Sequence, residues 1–411
     1  MDSSFHSYNR QRLYELLPDG AVAVLFSGEA PRRSADMYYP FHCDRNFLYL
    51  TGLSREGIAL LLRKTAAGSE ATLYLPPKDA LKERWSGKRY SADEARVISG
   101  IERIRSVDDF ENDMFRLLNA GVTGDIWLNL YKNRPGEYDD INYHFARKLQ
   151  TIYVWLGIRT LLPMMRRLRV IKAPCEIEAA RKAEIITGEG ITAMMKASRP
   201  GVFEYELKAE FEYALMKRGV IPASAPIIST GANNFFIHYD SCDGLSRDGD
   251  MILTDVGAQW DGLTVDVSRA WPVNGRFTKE QAALYGAAYD TSAHLFGIIK
   301  PGMPMRSVDE TARRFCGDIL IKLGLIKNAD ESGKLIWHGG AHHVGWDVHD
   351  VVETEVIAPG MIFCVDVGIY CEEWGIGFRL EDNCLITETG CENLSAAIPR
   401  KLEDIEAVLS K

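Results

Sequence analysis

Short apolar runs divided by polar turns dominate the first 165 residues. Residues 21–26 read Ala-Val-Ala-Val-Leu-Phe, and 47–50 read Phe-Leu-Tyr-Leu. Residues 58–62 are Ile-Ala-Leu-Leu-Leu, and 71–75 are Ala-Thr-Leu-Tyr-Leu, stopped by Pro76 and Pro77. Runs this short and this apolar predict strands buried on both faces. Helical patterns alternate with them, so residues 1–165 are expected to form an α/β domain on a mixed sheet. That stretch holds no dense set of metal-ligand side chains.

The pattern then lengthens to a helical period. A helix is predicted from Ala173 and Pro174, because proline suits a first helical turn and Glu176 and Glu178 suit its positive end. Arg199-Pro200-Gly201 ends it. A second amphipathic helix runs from about Phe203 to Arg218 and stops at Gly219. Thr278 with Gln281, and Ser307 with Glu310, have capping-box spacing. They predict two more helices, ending at Lys300-Pro301-Gly302 and near Gly324. The domain boundary is expected between about 160 and 175, with a second domain over 166–411.

That second domain contains a weak duplication. Helix, Arg-Pro-Gly at 199–201, helix and strands are followed by helix, Lys-Pro-Gly at 300–302, helix and strands. Gly249 precedes Asp255-Val256-Gly257 as Gly360 precedes Asp366-Val367-Gly368. His238 lies 17 residues before Asp255, and His349 lies 17 before Asp366. Chance recurrence of one tripeptide is ordinary. Four features in one order suggest two similar halves about a pseudo-two-fold axis, each sending a histidine and a carboxylate to the centre.

More acids stand close by. Asp266 follows Asp255 by 11 residues, and Glu381 follows Asp366 by 15. Hairpin returns would bring both acids of a half to one face. Their apolar and β-branched neighbours imply burial, which costs a carboxylate heavily unless a cation or partner compensates. Four buried acids and a histidine make an oxygen-rich site suited to Mn, Co or Zn.

Between these acids lies a stretch holding His338, His342, His343 and His349. His338 and His342 have the four-residue spacing of a helical zinc motif, but no glutamate follows His338 and Gly339 and Gly340 discourage a helix. A loop or strand is the better expectation, with one ligand histidine and one or two acid/base histidines.

Composition narrows the remaining classes. With 46% hydrophobic and 26% charged residues, the 411-residue chain is ordinary globular material. A net charge of -9 without a basic stripe argues against nucleic acid. No window reaches a membrane-spanning apolar length. The N-terminus lacks the basic head and apolar run of a secretory signal. The eight cysteines form no C-x-x-C pair and read as reduced thiols, which makes the cytoplasm the default compartment.

Several of these segments resemble a known family. Ile237-His238-Tyr239, Leu253-Thr254-Asp255-Val256-Gly257 and Val265-Asp266-Val267-Ser268-Arg269 look like the pita-bread metallopeptidases. So do the stretches from His338 to Asp350 and from Gly375 to Asp382. The similarity is strongest to the aminopeptidase P (Xaa-Pro aminopeptidase) branch, with prolidase next. Arg33-Ser34-Ala35-Asp36, Tyr39-Pro40 and Tyr49-Leu50-Thr51-Gly52 extend it into the first half. The resemblance implies a creatinase-like N-terminal domain over 1–165 and a pita-bread catalytic domain over 166–411.

It also implies two divalent metal ions, most often manganese, with cobalt or zinc as alternatives. Asp255, Asp266, His342, Asp366 and Glu381 would hold them, and Asp266 and Glu381 would bridge. His238, His338 and His349 would handle protons and stabilise the intermediate. Arg379 would hold Glu381. The implied substrate is a peptide with proline second, and the implied assembly is a homodimer or homotetramer. Trp85 resembles a family aromatic that reaches a neighbouring site; a plain exposed apolar residue fits it equally well.

At one position the chain departs from the family. Where the family has glutamate, this chain has Asp366, about 1.5 Å shorter in reach. Metal–oxygen distances tolerate only about 0.2 Å. Ligation and proton transfer at this position are therefore open to change. A prolidase-type dipeptidase or related amide hydrolase is the alternative activity. A non-catalytic protein on the same fold is a third reading, opposed by the retention of ligating side chains at all five positions.

Overall fold

The computed structural model describes residues 1–121, 123–352 and 354–410. The chain divides into two compact units, Met1–Leu168 and Arg169–Lys411.

The first unit is built on six strands: β1 (Val22–Phe26), β2 (Ala59–Thr65), β3 (Gly68–Leu75), β4 (Arg103–Ser106), β5 (Asp125–Leu128) and β6 (Gly157–Thr160). Their order is β4-β3-β2-β1-β5-β6. β1, β2 and β3 pair antiparallel, while β4, β5 and β6 pair parallel to their neighbours, which makes the sheet mixed. Val22, Val24, Leu61, Tyr74 and Phe110 pack in one core on this sheet.

Residues 47–50 are helical rather than extended. They belong to helix α1 (Arg45–Thr51). The Asp44 side chain accepts from the Phe47 amide at 2.8 Å, and Gly52 closes the helix at φ 70°. Four apolar residues in a row are compatible with a buried helix or a buried strand. Here the cap residues on either side decide. Trp85 is 92% exposed in a short helix, Ala80–Ser86.

The second unit repeats one plan. Helices α2 (Pro174–Ala197) and α3 (Glu204–Lys217) lead into strands β7 (Ile227–Thr230), β8 (Met251–Val256) and β9 (Val267–Pro272). Helices α4 (Lys279–Ile298) and α5 (Arg306–Lys322) lead into β10 (Ile362–Cys371), β11 (Ile376–Ile386) and β12 (Cys391–Asn393). Each strand trio is an antiparallel sheet in chain order. β9 packs against β11, which joins the two halves. Trp271, Phe363 and Phe378 are fully buried in the shared core. The architecture is thus α/β, with a mixed-sheet first unit and a duplicated second unit.

Thr278 caps α4 with the reciprocal Gln281 bond. The Ser307 box is not formed. α5 begins at Arg306, with Met305 rather than Ser307 at the cap position, and the Ser307 hydroxyl donates back to the Pro304 carbonyl at 2.6 Å. Among the described residues, no helix is long and apolar enough to cross a membrane.

The repeated Asp-Val-Gly has a steric reason. A Cβ on Gly257 would lie 1.7 Å from the Val265 carbonyl oxygen, and one on Gly368 would lie 2.2 Å from His338 Nε2. In each half, glycine lets another segment approach the strand just past its acid.

Candidate metal centre

The duplicated strands bring their acids together through register. Asp366 on β10 sits directly opposite Glu381 on β11. Asp255 on β8 sits opposite Ser268, and Asp266 lies just before β9 begins. Asp266 is tied to the other half: its carbonyl accepts from Asn383 Nδ2 at 2.7 Å. Ser268 Oγ donates to Glu381 Oε2 at 2.9 Å across the same junction.

A cavity of about 210 Å³ opens over these acids. His238, Asp255, Asp266, His338, His342, His349, Asp366, Arg379 and Glu381 all line it. A larger groove, about 680 Å³ on α2 beside residues 394–399, gathers none of them. Every site residue expected from the sequence therefore meets at one place, from both halves of the repeat.

Three sets of donor atoms lie within 4.8 Å of one another: Asp255, Asp266 and Glu381; Asp266, His342 and His349; and His342, Cys364 and Glu381. Asp366 belongs to none of them. Its Oδ2 lies 3.1 Å from His338 Nδ1. The shorter side chain stays near its own strand and pairs with the histidine.

Arg379 also departs from expectation. Its Nη2 donates to Asp255 Oδ2 at 2.7 Å and its Nη1 to the Tyr370 hydroxyl at 3.1 Å, rather than holding Glu381. Residues two apart on a strand point the same way side by side. Arg379 consequently reaches across to β8 instead of back to its neighbour. Tyr370 Oη in turn lies 3.0 Å from His338 Nε2. A continuous chain of polar contacts thus runs Asp255–Arg379–Tyr370–His338–Asp366. Tyr370 was not singled out from the sequence, although its place four residues after Asp366 on one strand puts it on the same face.

Burial raises the Asp266 carboxyl well above its usual range, and the Glu381 and Asp255 charges push it further. Burial and the Asp366 charge raise Glu381. Burial would also raise Asp255, but the Arg379 guanidinium, a hydrogen bond with Asp266 and the His342 charge together outweigh it and the carboxyl is lowered. Burial lowers His338, yet Asp366 more than reverses this and holds it at about 9. His342 is lowered by burial but raised on balance by Glu381. His349 is lowered by burial and by His342, on which its ring stacks at 4.0 Å.

The donor set fits divalent cations. Glu381 Oε1 and Asp366 Oδ1 are buried and, among the described residues, accept no hydrogen bond. Orphaned carboxylate oxygens among like charges are costly without a positive partner. His342 Nδ1 faces the His343 carbonyl at 3.3 Å, which leaves Nε2 toward the acids. His238 and His349 are exposed at the rim, and His338 is partly buried.

Comparison with known proteins agrees with this geometry. Residues 178–388 match the model of metallopeptidase family M24, and residues 6–127 match the aminopeptidase P N-terminal domain. The Xaa-Pro aminopeptidase of Escherichia coli K12 is 31% identical, over 97% of this chain and 96% of its own. Human Xaa-Pro aminopeptidase 3 is 30% identical, over 95% of this chain and 81% of its own. A Bacillus anthracis structure described as an aminopeptidase P superposes with a TM-score of 0.97 at 34% identity, covering 100% of this chain and 99% of that one. Escherichia coli aminopeptidase P with the inhibitor Pro-Leu gives 0.91 at 29% identity, covering 100% and 98%.

Proposed function

The chain belongs to metallopeptidase family M24, and from that premise we propose that it is a hydrolase that removes the first residue of peptides whose second residue is proline. The observation that carries this reading is the buried acid cluster with its orphaned oxygens, ringed by three histidines. End-to-end similarity to Xaa-Pro aminopeptidases supports the substrate class.

The proposed ligands are Asp255, Asp266, His342, Asp366 and Glu381. Sharing by Asp266 and Glu381 is supported by their membership of two donor sets each. Manganese is the proposed ion, with cobalt or zinc as alternatives. When bound, two such ions would supply an activated water and Lewis-acid polarisation of the scissile carbonyl.

The side chains do the rest. His349, exposed at the rim, donates a hydrogen bond toward the developing oxyanion. Asp366 takes a proton from the nucleophile and holds it within its pair with His338. His238 delivers a proton to the departing proline nitrogen, which as a ring imide brings no N–H of its own. Arg379 fixes the Asp255 carboxylate and, through Tyr370, the His338 ring.

A homodimer or homotetramer in the cytoplasm is the proposed setting. Eight unpaired thiols support a reducing compartment. Steady-state hydrolysis of Ala-Pro, Ala-Pro-Ala and Ala-Ala-Ala, with and without added Mn²⁺, tests the activity. Mn²⁺-dependent cleavage of the two proline peptides alone is expected. Strong preference for Ala-Pro over Ala-Pro-Ala would move the assignment to a dipeptidase, and loss of neither activity on chelation would sink the metal mechanism.

A further inference from the structure

The strand that carries Asp366 presents a second donor on the same face. Alternate residues of a strand point the same way, so Cys364 lies alongside Asp366. Cys364 is fully buried. Its Sγ, a His342 nitrogen and a Glu381 oxygen all lie within 4.8 Å of one another. Backbone pairing sets this approach: the Cys364 amide donates to the His342 carbonyl at 2.8 Å, and the His342 amide donates to Cys364 Sγ at 3.3 Å.

A second, independent observation points to an ion here. Glu381, only 2% exposed, leaves Oε1 without a hydrogen bond among the described residues, 3.4 Å from His342 Nε2. Asp366, meanwhile, has turned to His338 and stands outside every donor set. The donors beside His342 Nε2 are the Glu381 and Asp266 carboxylates, at 3.4 and 3.6 Å, and Cys364 adds a sulfur to them.

We infer that Cys364, His342 and Glu381 form a sulfur-bearing metal position that takes a thiophilic divalent ion such as Zn²⁺ or Cd²⁺, beside an oxygen-only position formed by Asp255, Asp266 and Glu381. The inference rests on the reading of this cleft as a two-metal centre. At a tetrahedral zinc, bonds of about 2.3 Å to sulfur and about 2.0 Å to nitrogen place the two donors about 3.5 Å apart, so the cluster would draw together around the ion. Thiolate and imidazole select zinc-like ions, whereas carboxylates alone suit manganese. On binding, the S–H bond breaks, the proton leaves to solvent and the sulfur lone pair goes to the ion, with no change of oxidation state. The competing role for Cys364 is a buried packing thiol that accepts the His342 amide.

The test uses the full-length protein, stripped of metal, as wild type, C364S and C364A. Each is titrated with Cd²⁺ while thiolate-to-cadmium absorption in the ultraviolet is followed. The signal is the difference between wild type and variants, so the exposed Cys175 cancels. Mn²⁺ binding is counted separately by electron paramagnetic resonance, which also shows that the variants keep the site. The expected result is one sulfur-bound Cd²⁺ per wild-type chain, absent from both variants. Cd²⁺ affinity should fall roughly tenfold or more in the variants, with Mn²⁺ still bound. Cd²⁺ that displaces Mn²⁺ without any wild-type-specific absorption would overturn the sulfur position and leave the two-metal reading standing. Failure of wild type to bind either ion in this cleft would overturn both.

Discussion

The Arg379 guanidinium lies 2.7 Å from the Asp255 carboxylate, and this pair joins the second half of the repeat to the first. Arg379 is 2% exposed, so its charge is sustained by Asp255 and by the Tyr370 hydroxyl. Replacing it with methionine would leave Asp255 without its main counter-charge in a buried acid cluster. R379M should bind Mn²⁺ about 10–100-fold more weakly. Its metal-free form should also lose more thermal stability than its Mn²⁺-loaded form, because the ions then compensate Asp255. Calorimetric titration and melting curves with and without metal check this. Equal losses in both forms would show that Arg379 serves packing alone.

Asp366 gives a prediction in the opposite direction. Its carboxylate pairs with His338 and stays outside the tight donor sets. D366E adds about 1.5 Å of reach toward the cluster. Mn²⁺ affinity should rise by about tenfold in this variant. A fall in affinity would show that β10 is already placed to suit the shorter acid.

Gly368 lies where His338 crosses the strand. A Cβ there would stand 2.2 Å from His338 Nε2 and 2.9 Å from the Tyr370 ring. G368A should displace the His338 ring and lower kcat by about 10²-fold, the usual cost of losing a placed acid/base group. Metal stoichiometry should hold, since the nearest side chains to that Cβ, His338 and Tyr370, are not among the proposed ligands. Unchanged kcat would remove His338 from the mechanism.

Glu184 on α2 predicts a pH dependence of stability away from the site. Burial raises its carboxyl from an ordinary 4.5 to about 8, partly relieved by the Ser395 hydroxyl. Ser395 Oγ bonds Oε1 at 3.0 Å, while Oε2 has no hydrogen-bond partner among the described residues. The folded state therefore keeps a proton that the unfolded chain releases near 4.5. The resulting stabilisation is complete below about pH 4.5, declines through the interval and is gone above about pH 8. E184Q should flatten that decline, with a gain on the order of a few kcal/mol over wild type near pH 8. Urea unfolding at a series of pH values measures it, and parallel curves for the two proteins would exclude Glu184 as the source.

Local pattern was enough for much of this molecule. The helix ends at 199–201 and 300–302, the Thr278 cap and three of the four early strands are all readable in the sequence. Each depends on neighbours within a few residues, so the chain carries the information locally. The repeat went further, because two copies of the same spacing imply two copies of the same strand pairing. It marked out the acids and histidines that the structure gathers in one cavity.

Tertiary structure alone decided the partners. Residues 47–50 are a different case: apolar enough for either a strand or a helix, they are made helical by the neighbouring Asp44 and Gly52 caps, a local signal. Nothing near Arg379 in the sequence indicates Asp255, 124 residues away, as its partner. Tyr370 and Cys364 look like ordinary strand residues until β10 is set against His338 and His342. Periodicity determines which face a side chain takes. Which atoms meet across two faces depends on how the halves close, and that is set by the whole buried core.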